Sequence, residues 1–147
     1  MNLYISYFYN IRFFPTNLIP VSTAVYDPKW YHNFKSDNNV FKDKRGVING
    51  IRMPILSPYK IENVECKSCV EKNPQTCTFI KQYRDYILSL NFNEVYSKLN
   101  SISNKFNNAD ICLMVYEKPD NPCSERSSLI EWFKLNGIEL LEFSRST

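Results

Sequence analysis

The chain has 147 residues, of which 44% are hydrophobic and 15% aromatic, and its net charge is +3. One domain of this length buries a core without disulfides, and no apolar run approaches the ~20 residues that cross a membrane. The first residues lack the basic start and the small-residue cleavage site of a secretory signal, so we expect a cytoplasmic protein with no membrane contact. The mild positive charge permits contact with nucleic acid or phosphate without identifying either.

The first half of the chain predicts two strands and a long insertion. Residues 2–9 and 18–26 are dense in β-forming side chains, which is typical of strands. The polar stretch from about 28 to 77 has no sustained period, and we interpret it as an insertion with little regular structure. Apolar residues then recur at helical spacing over 78–90 and again over 93–107, which predicts two helices.

The last third of the chain predicts a strand, a helix and a strand. Residues 110–116 form a nearly continuous apolar run, typical of a strand buried on both faces. A helix is predicted over 124–136, stopped by Gly137, and a closing strand over 138–143. This order predicts a right-handed βαβ unit with parallel strands. We therefore expect a single α/β domain: a small, mostly parallel, Rossmann-like sheet flanked by helices, with ligands bound beyond the carboxyl ends of its strands.

The turn EKPDNPCSER lies where such a sheet binds its ligand. Glu117 ends the predicted strand, and Cys123 or Ser124 occupies the N-cap of the next helix, where backbone N–H groups favour a thiolate or a bound anion. Arg126, in the first helical turn, is placed to hold an anion through two hydrogen bonds. Two interpretations stay open. Ser124 simply caps the helix while Arg126 is solvated or pairs with Glu117, or Cys123, Glu117 and Arg126 are catalytic, with Cys123 as the nucleophile.

The stretch VYEKPDNPCSERSSLIEWFKLNGIELLEF resembles the C-terminal signature of the domain of unknown function 488 family. In that family a buried strand leads through an acidic residue to a Cys-His-Arg turn, a helix and a short strand. The N-terminal NLYISYFYNIRFFP and IPVSTAVYDPKWY are also similar to that family, so the resemblance covers about 1–32 and 108–143. It implies a Rossmann-like domain and matches Glu117, Cys123 and Arg126 to the acidic residue, the Cys and the Arg. Here the turn reads CSER, with no His and one extra residue, so a mechanism through that His does not carry over.

The segment CKSCVEKNPQTC suggests a metal site in the insertion. Cys66 and Cys69 form a CxxC pair, and Cys77 follows after seven further residues. Three thiolates in a long irregular segment are typical of structural zinc, whose binding would also hold the insertion in place. The candidates for a fourth ligand are Cys123 and His32, and Cys112 is a poorer one because it lies inside the predicted buried strand. An iron–sulfur cluster is the alternative if Cys123 completes the set.

The insertion also carries nine Lys or Arg and five Asp or Glu residues, with aromatic residues between them. Basic groups beside stacking platforms suit nucleotides or single strands. The residues WYH follow the second strand and so approach the same edge as the CSER turn. The alternative is that WYHNF anchors the loop on the sheet. The predicted ligand-binding residues are Trp30, Tyr31, His32, Ser124 and Arg126.

We therefore expect a domain that binds a nucleotide-like or phosphate-bearing ligand at the carboxyl edge of its sheet and that a Cys-rich metal site stabilises. One alternative is a Cys-dependent enzyme that acts on a nucleotide or nucleic acid. Another is a phage or mobile-element factor that binds a host protein or sequesters a signalling nucleotide. The chain is rich in Asn, Lys, Ile and Tyr, whose AT-rich codons suggest an AT-rich genome such as that of a bacterium or one of its phages.

Overall fold

The computed structural model describes residues 1–15, 17–28, 31, 51–58, 77–116, 119–120 and 124–144. Its strands are β1 (Leu3–Tyr7), β2 (Leu18–Ser22), β3 (Asp110–Val115) and β4 (Leu141–Glu142). They form one sheet in the order β2-β3-β1-β4, and every neighbouring pair is parallel. The predicted α/β, Rossmann-like fold with a parallel sheet is confirmed.

Three α-helices and two 3-10 helices accompany the sheet in the described part of the chain. The α-helices are α1 (Thr78–Leu88), α2 (Phe92–Lys105) and α3 (Glu125–Leu135). The 3-10 helices are Phe8–Phe13 and Pro54–Leu56. None of the helices in the described ranges has the length and apolar character to span a membrane.

The strand β3 is the centre of the sheet, as its apolar run predicts. Its residues from Ile111 to Val115 are all fully buried, because β2 and β1 flank it and both faces of the sheet are covered. Leu113 lies opposite Ile5 on one side and Val21 on the other. These three side chains face the same way and pack into the core formed with all three α-helices.

The opposite face of the sheet is covered differently. Cys112 and Met114 of β3 pack there against Phe8 and Ile11 of the first 3-10 helix and against Tyr31 of the insertion. In the described ranges, the α-helices therefore cover one face of the sheet and a short 3-10 segment covers the other. Most of the insertion lies outside the described residues.

The strands end earlier than the sequence predicts. β1 stops at Tyr7 because the chain turns into the 3-10 helix at Phe8. β2 stops at Ser22, whose hydroxyl donates to Asp27 and accepts from the backbone N–H of Ala24 at 3.2 Å. This local bonding replaces a strand ladder with a bend.

The predicted βαβ unit at the end of the chain has one strand between its two strands. α3 connects β3 to β4, and both are parallel to β1, which lies between them. Ser124 caps α3 by accepting from the backbone N–H of Arg126 at 2.9 Å, and Gly137 follows the helix with a φ of +83°. A residue without a Cβ favours that left-handed conformation, so the helix stops where the sequence predicts.

The burial of β3 predicts a large stability difference between two leucine substitutions. Leu113→Ala removes a fully buried side chain and should lower the free energy of unfolding by about 2–5 kcal/mol. Leu135→Ala makes the same change at a side chain that is 67% exposed, and should change it by less than about 0.5 kcal/mol. Urea denaturation of both variants measures the difference, and equal losses would contradict the central position of β3.

Candidate active site at the carboxyl edge of the sheet

The carboxyl ends of β1, β2 and β3 meet at one edge because the strands are parallel. The first turn of α3 lies at this edge and buries its polar residues: Ser124 is 1%, Glu125 7% and Arg126 6% exposed. We call this region, with the residues that directly follow the three strands, the carboxyl edge. Buried polar groups need partners: Ser124 caps its own helix, whereas Glu125 and Arg126 have side-chain partners on other elements of the fold.

Glu125 ties α3 to the ends of two strands. The hydroxyl of Thr23, directly after β2, lies 3.3 Å from Glu125 Oε2 and 2.9 Å from the carbonyl oxygen of Met114 in β3. Thr23 is fully buried, and its backbone N–H also donates to Met114 O at 3.0 Å. The sequence reasoning did not single out Glu125 or Thr23, because neither belongs to a recognisable motif.

Arg126 is held by a carboxylate on the last strand. Its Nε lies 2.6 Å from Glu142 Oε1, and its Nη2 lies 3.3 Å from Glu142 Oε2. The Arg126 side chain is 7% exposed and that of Glu142 is 34% exposed, so the pair is open to water on the Glu142 side. The guanidinium is thus at the predicted edge, and an anionic ligand would compete there with Glu142.

A second polar group lies beyond β2. Asp27, whose side chain is fully buried, accepts from the Ser22 hydroxyl and lies 3.3 Å from Arg52 Nε. Arg52 Nη2 also donates to the carbonyl oxygen of Ala24 at 2.8 Å. Burial raises the pKa of Tyr116, and the negative charge of Asp27 adds to that rise. Asp27 therefore lies between the end of β2 and the residue that follows β3.

Tyr31 is an anchor in this structure. It is fully buried, its hydroxyl lies 2.6 Å from the carbonyl oxygen of Ile51 and 3.1 Å from that of Pro20, and its ring meets Phe8 edge-on at 5.4 Å. A ring in this position offers no open face for stacking. Tyr31 therefore anchors its segment on the sheet, as the second interpretation of WYHNF predicts. Its neighbours Trp30 and His32 lie outside the described residues.

Three exposed tyrosines follow the three long strands. Tyr9 after β1, Tyr26 after β2 and Tyr116 after β3 are 54%, 81% and 49% exposed. Because β3 lies between β2 and β1, they follow one another across the edge in the order Tyr26, Tyr116, Tyr9. We call these residues the tyrosine row. The sequence signal for them is a tyrosine at or just past the end of each predicted strand.

The predicted metal and catalytic residues are described only in part. Cys77 directly precedes α1 and is fully buried, whereas Cys66, Cys69, Cys123 and Glu117 lie outside the described residues. In the ranges that the structure does describe, no three metal-ligating side chains come together. The zinc site and the catalytic trio therefore stay predictions.

A separate cleft of about 380 Å³ lies between the segment 51–55 and α2. Arg52, Ser97, Lys98 and Ser101 supply its polar groups. None of the residues predicted from the sequence line it. Arg52 joins it to the carboxyl edge through the carbonyl oxygen of Ala24 and the carboxylate of Asp27.

No family model matches the chain, and no curated protein and no solved structure matches it. The resemblance to the domain of unknown function 488 family therefore rests on the quoted residues alone and stays a prediction.

The anchoring of Tyr31 predicts a specific loss of stability at high pH. Burial, and secondly Asp27, raise the pKa of Tyr31 well above its ordinary value. The folded state thus keeps a proton that an unfolded tyrosine loses near pH 10. The resulting stability is full below about pH 10 and is lost as the pH rises through the folded pKa.

Urea denaturation of the wild type and Tyr31→Phe at pH 7 and above about pH 10 tests this. At pH 7 the variant should lose about 1 kcal/mol, since the backbone N–H of Ser22 still donates to Ile51 O. At high pH the variant should lose less stability than the wild type. Tyr26→Phe makes the matched change in an exposed ring and should leave the stability at pH 7 unchanged. Equal alkaline losses in the wild type and Tyr31→Phe would contradict the assignment.

Proposed function

We propose that the carboxyl edge binds a nucleotide-like or phosphate-bearing ligand. The observation that carries this proposal is the tyrosine row: three exposed aromatic rings stand beyond the ends of three adjacent parallel strands. The other large hydrophobic side chains that are exposed in the described ranges are aliphatic. Ligands of parallel α/β sheets bind at this edge, and tyrosine rings suit the flat face of a base.

The anion of such a ligand would meet Arg126. Arg126 projects from the first turn of α3, where backbone N–H groups and the helix dipole favour negative charge. Its present partner, Glu142, lies in the two-residue strand β4 and has a third of its side chain in solvent. A phosphate arriving at the edge would therefore replace Glu142, with Arg126 already oriented for a two-point contact.

Thermal denaturation with nucleotides at millimolar concentration tests the proposal. Nucleotides should raise the melting temperature, because a ligand that binds only the native state stabilises it. Tyr116→Ala should weaken binding by about 5- to 150-fold, which corresponds to the ~1–3 kcal/mol of one stacked base. Tyr116→Phe keeps the ring and should bind nearly as the wild type does.

Arg126→Ala should abolish the nucleotide-induced rise. Because it also leaves Glu142 without its partner, the double variant Arg126→Met with Glu142→Leu serves as its control, since it removes both charges while retaining side-chain volume. Both variants should fold and neither should respond to nucleotide. If no nucleotide stabilises the wild type at millimolar concentration, the proposal is wrong.

We also propose that zinc holds the insertion through Cys66, Cys69, Cys77 and Cys123, with an iron–sulfur cluster as the alternative. The burial of Cys77 directly before α1 supports a structural thiol there: its carbonyl oxygen accepts from Lys81 N–H in the first helical turn at 3.3 Å. A ligand at the start of a helix is fixed in position, so a metal on it would join the insertion to α1.

Metal analysis of the purified chain tests the zinc site. We expect about one zinc per chain and a lower melting temperature after chelation. Cys66→Ser should release the metal, whereas Cys112→Ala, which changes a thiol buried within β3, should retain it. Visible absorption with bound iron would instead identify the cluster. A metal-free chain, or metal retained in Cys66→Ser, would contradict this ligand set.

A further inference from the structure

We infer that the ligand of the carboxyl edge is a single strand of nucleic acid, whose successive bases stack on Tyr26, Tyr116 and Tyr9. This inference rests on the proposed function and narrows it from nucleotide-like ligands in general to one class. One base covers one ring, and an exposed tyrosine follows each of three adjacent strands: Tyr26 in the bend after β2, Tyr116 directly after β3, and Tyr9 in the 3-10 helix after β1.

The spacing of the strands suits consecutive bases. Neighbouring strands lie about 4.8 Å apart, so the ends of β2 and β1, with β3 between them, are about 10 Å apart. Successive nucleotides of one strand rise by about 3.4 Å when stacked and are further apart when the strand is extended. The strand ends that the three tyrosines follow are therefore two or three nucleotide steps apart, a separation that a mononucleotide does not cover.

Other aromatic rings support two members of the row. The ring of Tyr116 lies 5.0 Å from that of Phe8, which is itself buried against Tyr31. The ring of Tyr9 is stacked on Tyr7 at 6.5 Å and meets Phe13 at 6.0 Å. Rings held in this way lose little conformational entropy on binding, so they form a stacking surface that exists before the ligand arrives.

One exposed cation, Arg12, lies directly beside a ring of the row and is placed to meet a phosphate. Arg12 is exposed, its guanidinium lies 3.8 Å from the centre of the Tyr9 ring, and its Nε donates to the carbonyl oxygen of Tyr9. The guanidinium covers one face of that ring, so a base that stacks on this face displaces Arg12 towards the phosphates. Arg52 is one-third exposed, while the Asp27 carboxylate beside it is fully buried. Asp120, in the connection from β3 to α3, is an exposed carboxylate of this region. The net charge of +3 has the sign that attracts phosphates.

The stacking geometry separates single strands from duplexes. In a duplex the faces of the bases are covered by their neighbours, so they are not open to protein rings. Stacking tolerates any base because each has a flat face. We therefore expect binding with little sequence preference, a clear preference for single strands, and weakening by salt as counterions are released.

Fluorescence anisotropy with the full chain tests this inference. The probes are labelled single strands of about ten nucleotides, the matching duplex, and unlabelled mononucleotides as competitors. The single strand should bind at least about tenfold more tightly than the duplex or the mononucleotide. Tyr26→Ala and Tyr116→Ala should each weaken it by about 5- to 150-fold, whereas Tyr26→Phe and Tyr116→Phe should not. Leu135→Ala, an exposed apolar change on α3, should bind as the wild type does.

Arg12→Gln gives an independent readout. If Arg12 contacts a phosphate, its loss should lower the slope of log affinity against log salt by about 0.7, as for one counterion on a single strand. The melting temperature of each variant verifies that it is folded. An unchanged slope would mean that Arg12 contacts no phosphate and would remove it from the interface.

Four outcomes overturn the inference, and they differ in what else they overturn. Mononucleotides that bind as tightly as single strands would leave the proposed function standing and remove the extended ligand. Binding of neither would remove both. A duplex that binds as tightly as the single strand, or a dimer of this chain that Tyr26→Ala dissociates, would assign the tyrosine row to another contact.

Discussion

The buried first turn of α3 is the constraint on which the carboxyl edge depends. Glu125 reaches Thr23 at the end of β2, and Arg126 reaches Glu142 on β4. Two successive residues thus bind at the two outermost strands of the sheet. Polar groups this deeply buried are costly unless they are paired. Each contact therefore requires the other elements to be in place, and the order β2-β3-β1-β4 brings both partners within reach of one helical turn.

At the carboxyl edge, charged side chains are buried and aromatic rings are exposed, which is the reverse of the usual distribution. Asp27, Glu125 and Arg126 are buried, whereas the rings of Tyr26 and Tyr116 stand in solvent. Burial of apolar surface alone favours the opposite arrangement. The departure lies at the edge where parallel sheets bind ligands, which is the arrangement that the proposed binding function requires.

The sequence predicts features set by local pattern and fails where distant residues decide. The apolar run 110–116 identified the central strand, and Ser124 and Gly137 marked the ends of α3, because periodicity and capping are local. Glu142 was missed as the partner of Arg126 because the two lie sixteen residues apart, and their meeting depends on β4 pairing with β1. Composition likewise does not separate Tyr31 from Tyr26: the first is buried because two backbone carbonyls, of Pro20 and Ile51, meet its hydroxyl.

The polar groups and the tyrosine row are parts of one arrangement. Ser22 holds Asp27, whose charge acts on both Tyr31 and Tyr116, and the next residue, Thr23, joins Glu125. The bend after β2 is thus fixed from both faces of the sheet. Affinity for a ligand is greatest where the contacting groups are already in place. The buried contacts of Ser22 with Asp27 and of Thr23 with Glu125 therefore hold the backbone from which the exposed rings project.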